Sequence, residues 1–520
     1  MKVFALYTGL GGGMFWKKKD FKQTVNSYET EEKTIEEVFN KAKKSSDFTT
    51  ITPIEKNNNI SLSFFKTLVD SKTLQQSLLQ NLKENISVVE KVSDLKNIIP
   101  IEDMVVTKDP KEIEKALHEG ATVIYFKNQM DEFALLKIGN ARLGQRETND
   151  TQNEFSVIGP KVGFIEDIGT NLHMLREHLH SPDLIFDELV VGTRTQTKVV
   201  IAYIDGVTNP EFVKTATQRL QNLDVDAIFD NTQLEQLISD HSSSPFPLFV
   251  TTERIDRTVG SLLLGQVVLI TDKSSYAVIG PVNLMDFFSN PEDFYLPSLI
   301  ASFFKLIRIF GMLFSMFATS FYVAILTFHF EVIPKDLLGP IINSRANVPF
   351  PPVIEVLFLE VTIDLLREAG ARLPTKIGQT LGIVGGIVIG QATVEAALTS
   401  TILLIIVALS ALASFTTPIY KMSTAVRMLR YPFILLAAIW GGLGIYVGLL
   451  FIIGHLSRLK SLGVPYMVPL YPYRKGWALG SFIRPSFVNL KKRPSYFRPL
   501  SNKRYTPTPS QDSEDGLNSE

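Results

Sequence analysis

The chain has 520 residues, with 52 Lys and Arg, 53 Asp and Glu and a formal net charge of -1. This length predicts more than one domain, and the balanced charge gives no reason to expect a nucleic-acid partner. Because the chain contains 0 Cys residues, disulfide bonds, thiol catalysis and cysteine-ligated metals are excluded. Most of the strongly apolar sequence lies after residue 308, which predicts a soluble part followed by a membrane part.

Residues 1–60 are predicted to form a flexible N-terminal lead-in. From residue 17 onward this segment is rich in Lys, Glu, Thr, Ser and Asn, a composition typical of unfolded chains. The short apolar stretch before it is a poor signal peptide, because Gly11, Gly12 and Gly13 break it and a basic cluster follows. We therefore expect the N-terminus to stay in the cytoplasm.

Two small α/β subdomains are predicted next, at residues 61–150 and 151–297. Strands that alternate with helices predict sheets covered by helices. The first has helices at 67–90 and 111–118 and strands at 121–126 and 133–139. The second has helices at 170–180, 210–222 and 259–264, a strand at 198–204, and a hairpin of 266–271 with 276–279.

Residues 298–457 are predicted to form a helical membrane domain. The segment 309–328 has no charged residue and has the length of about 20 residues that a bilayer crossing requires. Including this segment, the predicted spans lie near 309–328, 377–394, 396–420 and 431–457.

The segment 349–370 has the length of a span but carries charges, so it is predicted to be an amphipathic helix that re-enters the membrane, lies on its surface or spans it facing an aqueous interior. Glu360, Asp364 and Glu368 recur every four residues and share one helix face, while Glu355 lies off that stripe. The stripe is a candidate ion path or gating element if copies of the helix surround an aqueous opening. The alternative is a helix on the membrane surface, with Arg367 neutralising Asp364.

A second polar pair lies close by in the sequence. Gln391 and Glu395 are candidates for the same ion path or gate, because Glu395 is the only charge between Ile377 and Tyr420 and a charge inside a membrane is costly. The alternative places Glu395 in a hairpin turn at the membrane surface, with 396–420 as the returning helix.

Four glycines recur at strict four-residue spacing, which is typical of helices whose backbones approach closely in membranes. We expect this glycine ladder to pack against another helix of the same chain or of a second copy. Its members are Gly378, Gly382, Gly386 and Gly390.

Residues 458–520 are predicted to form a tail that is basic up to Arg504 and acidic after it. A basic segment next to a span favours the cytoplasmic side, so both termini are predicted to be cytoplasmic in a multi-pass cell-membrane protein. Two termini on the same side of the membrane require an even number of spans, and four spans satisfy this requirement. One feature conflicts with it, because the loop that contains Lys421, Arg427 and Arg430 then faces outward.

No catalytic or metal-binding constellation is recognised, and no cofactor is expected. His173, His178 and His180 are close in sequence, but no acid or cysteine completes a ligand set. Phosphate-loop, nucleophile-elbow and zinc-protease motifs are not found. The sequence therefore predicts a protein that is not an enzyme.

Several separate stretches resemble the A subunits of bacterial spore germinant receptors of the GerA type. The resemblance covers about residues 155–472 and keeps the order of the family's elements. The matching stretches are GPKVGFIEDIGTNLHMLR at 159–176, RTQTKVVIAYIDGVTNPEFV at 194–213, SPFP at 244–247, TERIDR at 252–257, VPFPPVIEVLFLEVTIDLLREAGARLPTKIGQTLGIVGGIVIGQATVEA at 348–396 and GVPYMVPL at 463–470.

The resemblance implies an A subunit in the inner membrane of the spore, together with a permease-like B subunit and a lipoprotein C subunit. It also implies a homo-oligomer of A subunits that forms a nutrient-gated ion channel. Two alternatives remain open: a scaffold that does not conduct and couples the permease-like partner to a separate channel, or a secondary transporter.

Overall fold

The computed structural model describes residues 34–53, 60–85, 91–99, 104–138, 151, 154, 157–372, 386, 390–487 and 490–504. Within these residues the chain forms two α/β units, a bundle of long helices and a C-terminal segment that returns to the second unit. The prediction of an α/β part followed by a helical part is therefore confirmed.

The first α/β unit is built on a five-stranded antiparallel sheet. The strands are β1 (Phe48–Ile51), β2 (Ile60–Phe65), β3 (Met104–Thr107), β4 (Ala121–Phe126) and β5 (Gln129–Lys137), in the spatial order β1-β2-β4-β5-β3. The sheet buries both faces, because Ile124 packs on one side while Val123 and Tyr125 pack on the other. The helices are α1 (Ile35–Ala42), α2 (Ser71–Thr73), α3 (Gln80–Asn85), α4 (Leu95–Ile98) and α5 (Pro110–His118), with the π-helical turn Leu74–Leu79 joining α2 to α3.

The prediction of a flexible lead-in is wrong for residues 34–53. Thr34 caps α1, since its side chain accepts from the Glu37 amide and the Glu37 carboxylate accepts from the Thr34 amide. One face of α1 buries Val38 and Phe39, and β1 pairs with β2. The few apolar residues of this polar stretch are thus placed at the periods of a helix and a strand, which an average composition does not detect.

The second α/β unit repeats the topology of the first. Its strands are β6 (Leu184–Val191), β7 (Thr197–Ile204), β8 (Val250–Thr252), β9 (Val267–Thr271) and β10 (Ala277–Gly280), in the spatial order β6-β7-β9-β10-β8. Each unit thus has an outer hairpin, a crossover to the opposite edge strand, and a second hairpin inserted between them. The predicted hairpin of β9 with β10 is confirmed. The helices are α6 (Ile168–His178), α7 (Pro210–Gln221), α8 (Asn231–Ile238) and α9 (Ile255–Leu263).

A buried ion pair joins the two α/β units. Arg176 on α6 donates to both carboxylate oxygens of Asp47 at 2.7 Å, and its guanidinium lies 4.2 Å from the centre of the Phe65 ring and 4.5 Å from that of Phe186. Burial alone raises the pKa of the Asp47 carboxyl, but the Arg176 charge and the hydrogen bonds around it outweigh burial and lower this pKa. Asp47 therefore stays ionised and paired at neutral pH.

The helical part begins directly after the second unit and forms a bundle around its first helix. Two of its helices, Ser298–Phe328 and Tyr420–Trp440, are long and apolar enough to cross a membrane among the described residues, and Thr401–Ser414 and Gly442–Arg458 are shorter apolar helices. The helices are α10 (Ser298–Phe328), α11 (Lys335–Arg345), α12 (Pro352–Arg372), α13 (residues 390–395), α14 (Thr401–Ser414), α15 (Tyr420–Trp440) and α16 (Gly442–Arg458).

The direction of each long helix follows from its contacts. We call the end of the bundle that contacts the second α/β unit, at Lys421 and His455, the near end. The end that contains Phe328 and Gly441, which pack together, is the far end. α10 and α15 run from the near end to the far end, and α14 and α16 run back. α12 also runs back, because Arg367, close to its C-terminal end, contacts the last turn of α14.

Two of the predicted spans have other bounds in the structure. The segment 431–457 is not one helix, because Gly441 adopts a φ of 60° and ψ of -136° and reverses the chain between α15 and α16. Gly444 then passes the Leu436 carbonyl so closely that an added Cβ would overlap its oxygen. The segment 396–420 contains the helix α14 only between Thr401 and Ser414. Most of 377–394 lies outside the described residues.

The C-terminal segment is predicted as a tail, but between Lys460 and Arg504 its described residues are folded against the second unit. Tyr466 is fully buried and donates to the Pro247 carbonyl at 2.9 Å. Arg484 donates to the carbonyls of Phe294 and Leu296, directly before α10. The regular elements here are β11 (Lys460–Ser461), β12 (Val464–Pro465) and α17 (Ala478–Phe482).

Candidate functional site: the charged interior of the helical bundle

The bundle buries polar side chains beside an apolar core that includes Val323, Leu359 and Phe433, and it exposes many large apolar side chains. This arrangement brings the chemically active groups of the bundle to the contacts between its helices. The buried polar residues include Ser315, Thr319, Ser320, Glu355, Glu360, Ser400, Ser410, Ser414 and Arg430. The exposed apolar residues include Leu299, Phe303, Phe310, Phe321, Phe358, Leu365, Ile405, Leu412, Leu435, Ile439, Leu443 and Phe451.

Glu360 and Arg430 form an ion pair at the centre of this interior. Arg430 on α15 donates through Nη1 to the Glu360 carboxylate on α12. Its Nε and Nη2 donate to the carbonyl and the hydroxyl of Ser315 on α10, each at 2.9 Å. Both side chains are almost fully buried, with exposed fractions of 3% for Arg430 and 1% for Glu360. One guanidinium therefore ties three helices together.

Asp364 forms a second link between the same two helices, one turn further along α12. Arg427 donates to its Oδ1 at 3.3 Å, and the Tyr431 hydroxyl donates to its Oδ2 at 2.7 Å. Residues three or four positions apart share a helix face, so Glu360 with Asp364 on α12 meets Arg430 with Arg427 on α15. We call these two pairs the charge ladder.

Glu355 lies off the predicted stripe and is nevertheless buried and paired at the far end. Arg345 donates to its Oε1 at 2.7 Å, and the Ser400 amide donates to its Oε2 at 3.3 Å. The Ser400 hydroxyl in turn lies 3.0 Å from the Tyr322 hydroxyl. This carboxylate therefore connects the start of α12 to the end of α11 and the start of α14.

The predicted acidic stripe is divided in the structure. Glu360 and Asp364 face α15, whereas Glu368 is exposed and pairs with Arg372 at 2.6 Å on its own helix. Arg367 does not neutralise Asp364 directly. It donates to Ser414 at 3.0 Å and lies 4.2 Å from the centre of the Phe415 ring.

Gln391 and Glu395 pair with each other on α13. The Gln391 amide donates to Glu395 at 2.7 Å, and both side chains are exposed. Of the glycine ladder, Gly378 and Gly382 lie outside the described residues. Among the described residues, an added Cβ would meet nothing within 4 Å at Gly386 and only Leu404, at 3.8 Å, at Gly390.

Sequence reasoning does not find the basic partners of the charge ladder. It places Arg427 and Arg430 in a loop, but they belong to α15, and Lys421 at its start contacts Glu235 of α8. The loop before α15 therefore lies at the near end of the bundle, on the same side as the α/β units, and not on the opposite side as the four-span prediction requires. The signal that could have found this hairpin is the pair Gly441-Gly442 within the apolar run.

The charge ladder consists of ion pairs between α12 and α15. Within the described residues, no group of three or more His, Asp or Glu could hold a metal ion. His173 instead contacts the Thr67 carbonyl at 2.9 Å and His178 contacts the Met174 carbonyl at 2.8 Å. Each acid of the ladder has an arginine partner on another helix, so relative movement of α12 and α15 is what would free a carboxylate.

Comparison with known proteins gives the family. Residues 33–496 match the model of the Bacillus/Clostridium GerA spore germination protein. The chain belongs to this family. It is 41% identical over 475 residues to the spore germination protein GerQA of Bacillus cereus, a match that covers 91% of this chain and 94% of that protein. It is 43% identical over 473 residues to GerIA of the same organism, with 91% and 70% covered.

A solved structure also matches part of the chain. This is the N-terminal domain of the A subunit of the Bacillus megaterium spore germinant receptor GerK3, at 24% identity and a TM-score of 0.34. The match covers 47% of this chain and 91% of that domain. The GerA family is a family of spore germination proteins and is not a known enzyme family.

Proposed function

We propose that this chain is the A subunit of a nutrient germinant receptor in the inner membrane of the spore. In this proposal copies of the chain assemble and form or gate an ion-release channel that triggers germination. Membership of the GerA family supports the role in germination. The charge ladder supports the gating role, since it places ionisable groups between helices whose outer faces are apolar.

The distribution of residues supports insertion of the bundle in a membrane. Charges inside a membrane are costly and persist where they pair or face a bundle interior, which fits Glu360 with Arg430. The exposed apolar faces of α10, α14, α15 and α16 would contact lipid. A bilayer interior requires about 20 residues of helix, and α10 and α15 reach that length with 31 and 21 residues.

The helix directions support both termini being on one side, which we propose is the cytoplasm. α10 and α15 pass from the near end to the far end, and α12, α14 and α16 return. The start of α10 and the end of α16 therefore both lie at the near end. This supports a multi-pass protein with the α/β units and the C-terminal segment on the same side.

The partners proposed for this chain are those expected of an A subunit. A receptor of several subunits is implied by the family, with a permease-like B subunit and a lipoprotein C subunit beside the A subunits. Among the described residues no atom lies within 4 Å of an added Cβ at Gly386, which supports contact with a second copy of the chain at this position, whereas Gly390 meets Leu404 of α14 at 3.8 Å. Small residues let two helix backbones approach.

Ion release from spores tests this proposal. Glu395→Gln removes the exposed charge without leaving a buried partner, so we expect normal receptor level and altered release of potassium and sodium. The double variant Glu360→Gln with Arg430→Gln is expected to alter release as well. Both residues are changed because Glu360→Gln alone would leave the charge of Arg430 buried and unpaired. Unaltered release in Glu395→Gln and in the double variant would remove these residues from the ion path.

A second test addresses assembly. Gly386→Leu is expected to reduce oligomer formation without disturbing the fold of the single chain, because no described atom lies within 4 Å of an added Cβ. The oligomer would be measured by cross-linking in spore membranes. A variant that assembles and functions at the normal level would argue against packing through this face.

A scaffold that does not conduct is the second candidate, and one observation favours it. Glu360 and Asp364 are both paired within the chain, so in this arrangement they do not line an opening. In that case the chain would transmit a change of shape from a permease-like partner to a separate channel. Purified chain that shows no conductance in a planar bilayer under any condition would favour this candidate.

A further inference from the structure

One short segment of the second α/β unit contacts both near-end termini of the α15–α16 hairpin. Glu235 on α8 accepts from Lys421 in the first turn of α15. Ser244, in the connection after α8, lies 3.1 Å from Nε2 of His455 in the last turn of α16. The Phe246 ring packs beside the same histidine, with ring centres 6.2 Å apart. The segment 231–246 therefore fixes the position of the hairpin relative to the sheet.

Hydrogen bonds hold the helix α8 to its own unit. Asn231 is fully buried at its start and accepts from the Thr271 hydroxyl of β9. Arg219 on α7 donates to the Ile238 carbonyl at its end and to Asp240, each at 2.6 Å. Buried polar networks of this kind hold one arrangement, so a movement of the sheet carries Glu235 with it.

The position of Lys421 is explained by Glu235 and not by helix stability. A cation in the first turn of a helix opposes the helix dipole. Glu235 is almost fully buried and also accepts from the Thr251 hydroxyl at 2.6 Å, so Lys421 supplies the charge that this carboxylate lacks. The link thus fits a contact between the α/β unit and the bundle.

Helix α15 connects the Glu235–Lys421 contact to the charge ladder. Besides Lys421, it contains Arg427 and Arg430, which pair with the two ladder acids of α12. From Lys421 to Arg430 the helix rises about 14 Å, at 1.5 Å per residue. A rigid helix that moves at one end also moves its other contacts, so Glu235 and the two ladder acids are mechanically connected.

We propose that Glu235 and Lys421 are positioning residues that transmit a change in the second α/β unit to the charge ladder. The link sets the position of α15, and α15 sets whether Asp364 and Glu360 remain paired. This inference rests on the proposed role in ion release. It extends that role by assigning the route of regulation, since neither residue belongs to the ladder.

Spores that carry the complete receptor provide the test, with diluted nutrient broth as the stimulus. Glu235→Gln and Lys421→Met are each expected to fold, because the introduced amide oxygen can still accept from Thr251 and the Lys421 side chain is already 32% exposed. We expect the broth concentration for half-maximal potassium release to shift by about tenfold, within the usual range of coupling between sites. Receptor level should stay at that of the parent.

Charge exchange and a matched surface pair separate transmission from simple loss of charge. Glu235→Lys combined with Lys421→Glu should restore a response close to that of the parent. Glu188→Gln should change nothing, because Glu188 pairs with Lys198 at 3.2 Å at the exposed surface of the same unit. A response equal to the parent's in both single link variants would overturn the proposal.

Planar-bilayer recordings keep this proposal distinct from the proposed function. If the parent chain conducts but the single link variants respond to broth like the parent, transmission through this link is wrong and the channel role stands. If the parent does not conduct while the shift and its rescue by charge exchange persist in spores, the channel role is wrong and transmission stands.

Discussion

The two α/β units and the helical bundle differ in what they expose. In the units the sheets bury Val, Ile and Phe, and charges lie mainly at the surface, as water requires. In the bundle the helices bury Ser, Thr, Glu and Arg beside apolar residues, and they expose many Leu, Ile and Phe side chains. Each region nevertheless contains a buried Arg–carboxylate pair, Arg176 with Asp47 and Arg430 with Glu360.

This difference indicates what each buried pair does. Arg176 joins two units that each have their own apolar core, so its pair fixes how the units are placed. Arg430 lies inside a bundle whose outer face is apolar, so its pair supports the position of α12 itself.

The largest effect is expected from Arg430→Met. It leaves Glu360 buried without its partner, which costs about 3–5 kcal/mol. Thermal unfolding in detergent should show a marked loss of stability and spores should contain less receptor. The double variant Glu360→Met with Arg430→Met removes both charges and should recover most of the stability. Equal stability of the single variant and the parent would show that the pair is not buried from solvent as described.

The second largest effect is expected from Arg176→Met, and it should be confined to the α/β units. It leaves Asp47 buried and unpaired, at a cost of about 3 kcal/mol. Hydrogen exchange of the full chain should become faster in β1 and β6 and remain unchanged in α12 and α15. Asp47→Asn in the same background should reverse part of the effect. Faster exchange in the bundle would contradict the separation of the two regions.

Gly444→Ala tests the close approach of α15 and α16. An added Cβ would overlap the Leu436 carbonyl oxygen, and overpacking of this kind costs about 1–3 kcal/mol. The matched control is Gly454→Ala on the same helix, where no described atom lies within 4 Å of an added Cβ. The temperature of thermal unfolding should be lowered by Gly444→Ala and not by Gly454→Ala. The hairpin as described would be wrong if both variants behaved alike.

The last effect depends on pH and concerns the first α/β unit. Burial, with a further contribution from the Arg176 charge, lowers the pKa of His118 to about 3, while an unfolded histidine has a pKa of about 6.5. Between pH 6.5 and pH 3 the unfolded chain binds a proton at His118 and the folded chain does not. As the pH falls through this range, the free energy of unfolding therefore decreases by up to about 1.4 kcal/mol per pH unit.

Hydrogen exchange at pH 7 and pH 5 measures this effect in the strands of the first unit. His118→Phe should reduce the pH dependence, because the ring that packs 5.0 Å from Phe65 no longer titrates. His241→Gln, at an exposed position, is the control and should leave the dependence unchanged. A pH dependence that persists in full in His118→Phe would assign it to another group.

Much of the α/β region can be predicted from sequence, because its elements are short and periodic. The strand 121–126 and the hairpin of β9 with β10 are found where the apolar runs place them. β2, with the sequence ISLSFF, alternates polar and apolar residues at its start. The strand β2 is not predicted from the sequence, because an average composition over the preceding polar segment hides this short alternation.

The bundle is harder to predict, for two physical reasons. Hydropathy treats the run 431–457 as continuous, although Gly441 and Gly442 permit the reversal between α15 and α16. Charge partners are set by helix packing, and Glu360 and Arg430 are 70 residues apart. The acids could therefore be identified from their spacing, but their burial and their arginines could not.

Conductance of the purified chain in a planar bilayer tests the central claim most directly. We expect ion-selective openings by the parent. We also expect altered opening in the double variant Glu360→Met with Arg430→Met, which keeps the bundle folded but removes the inner pair of the ladder. A parent chain that is folded, oligomeric and silent under all conditions, with and without its receptor partners, would contradict the claim and favour the scaffold.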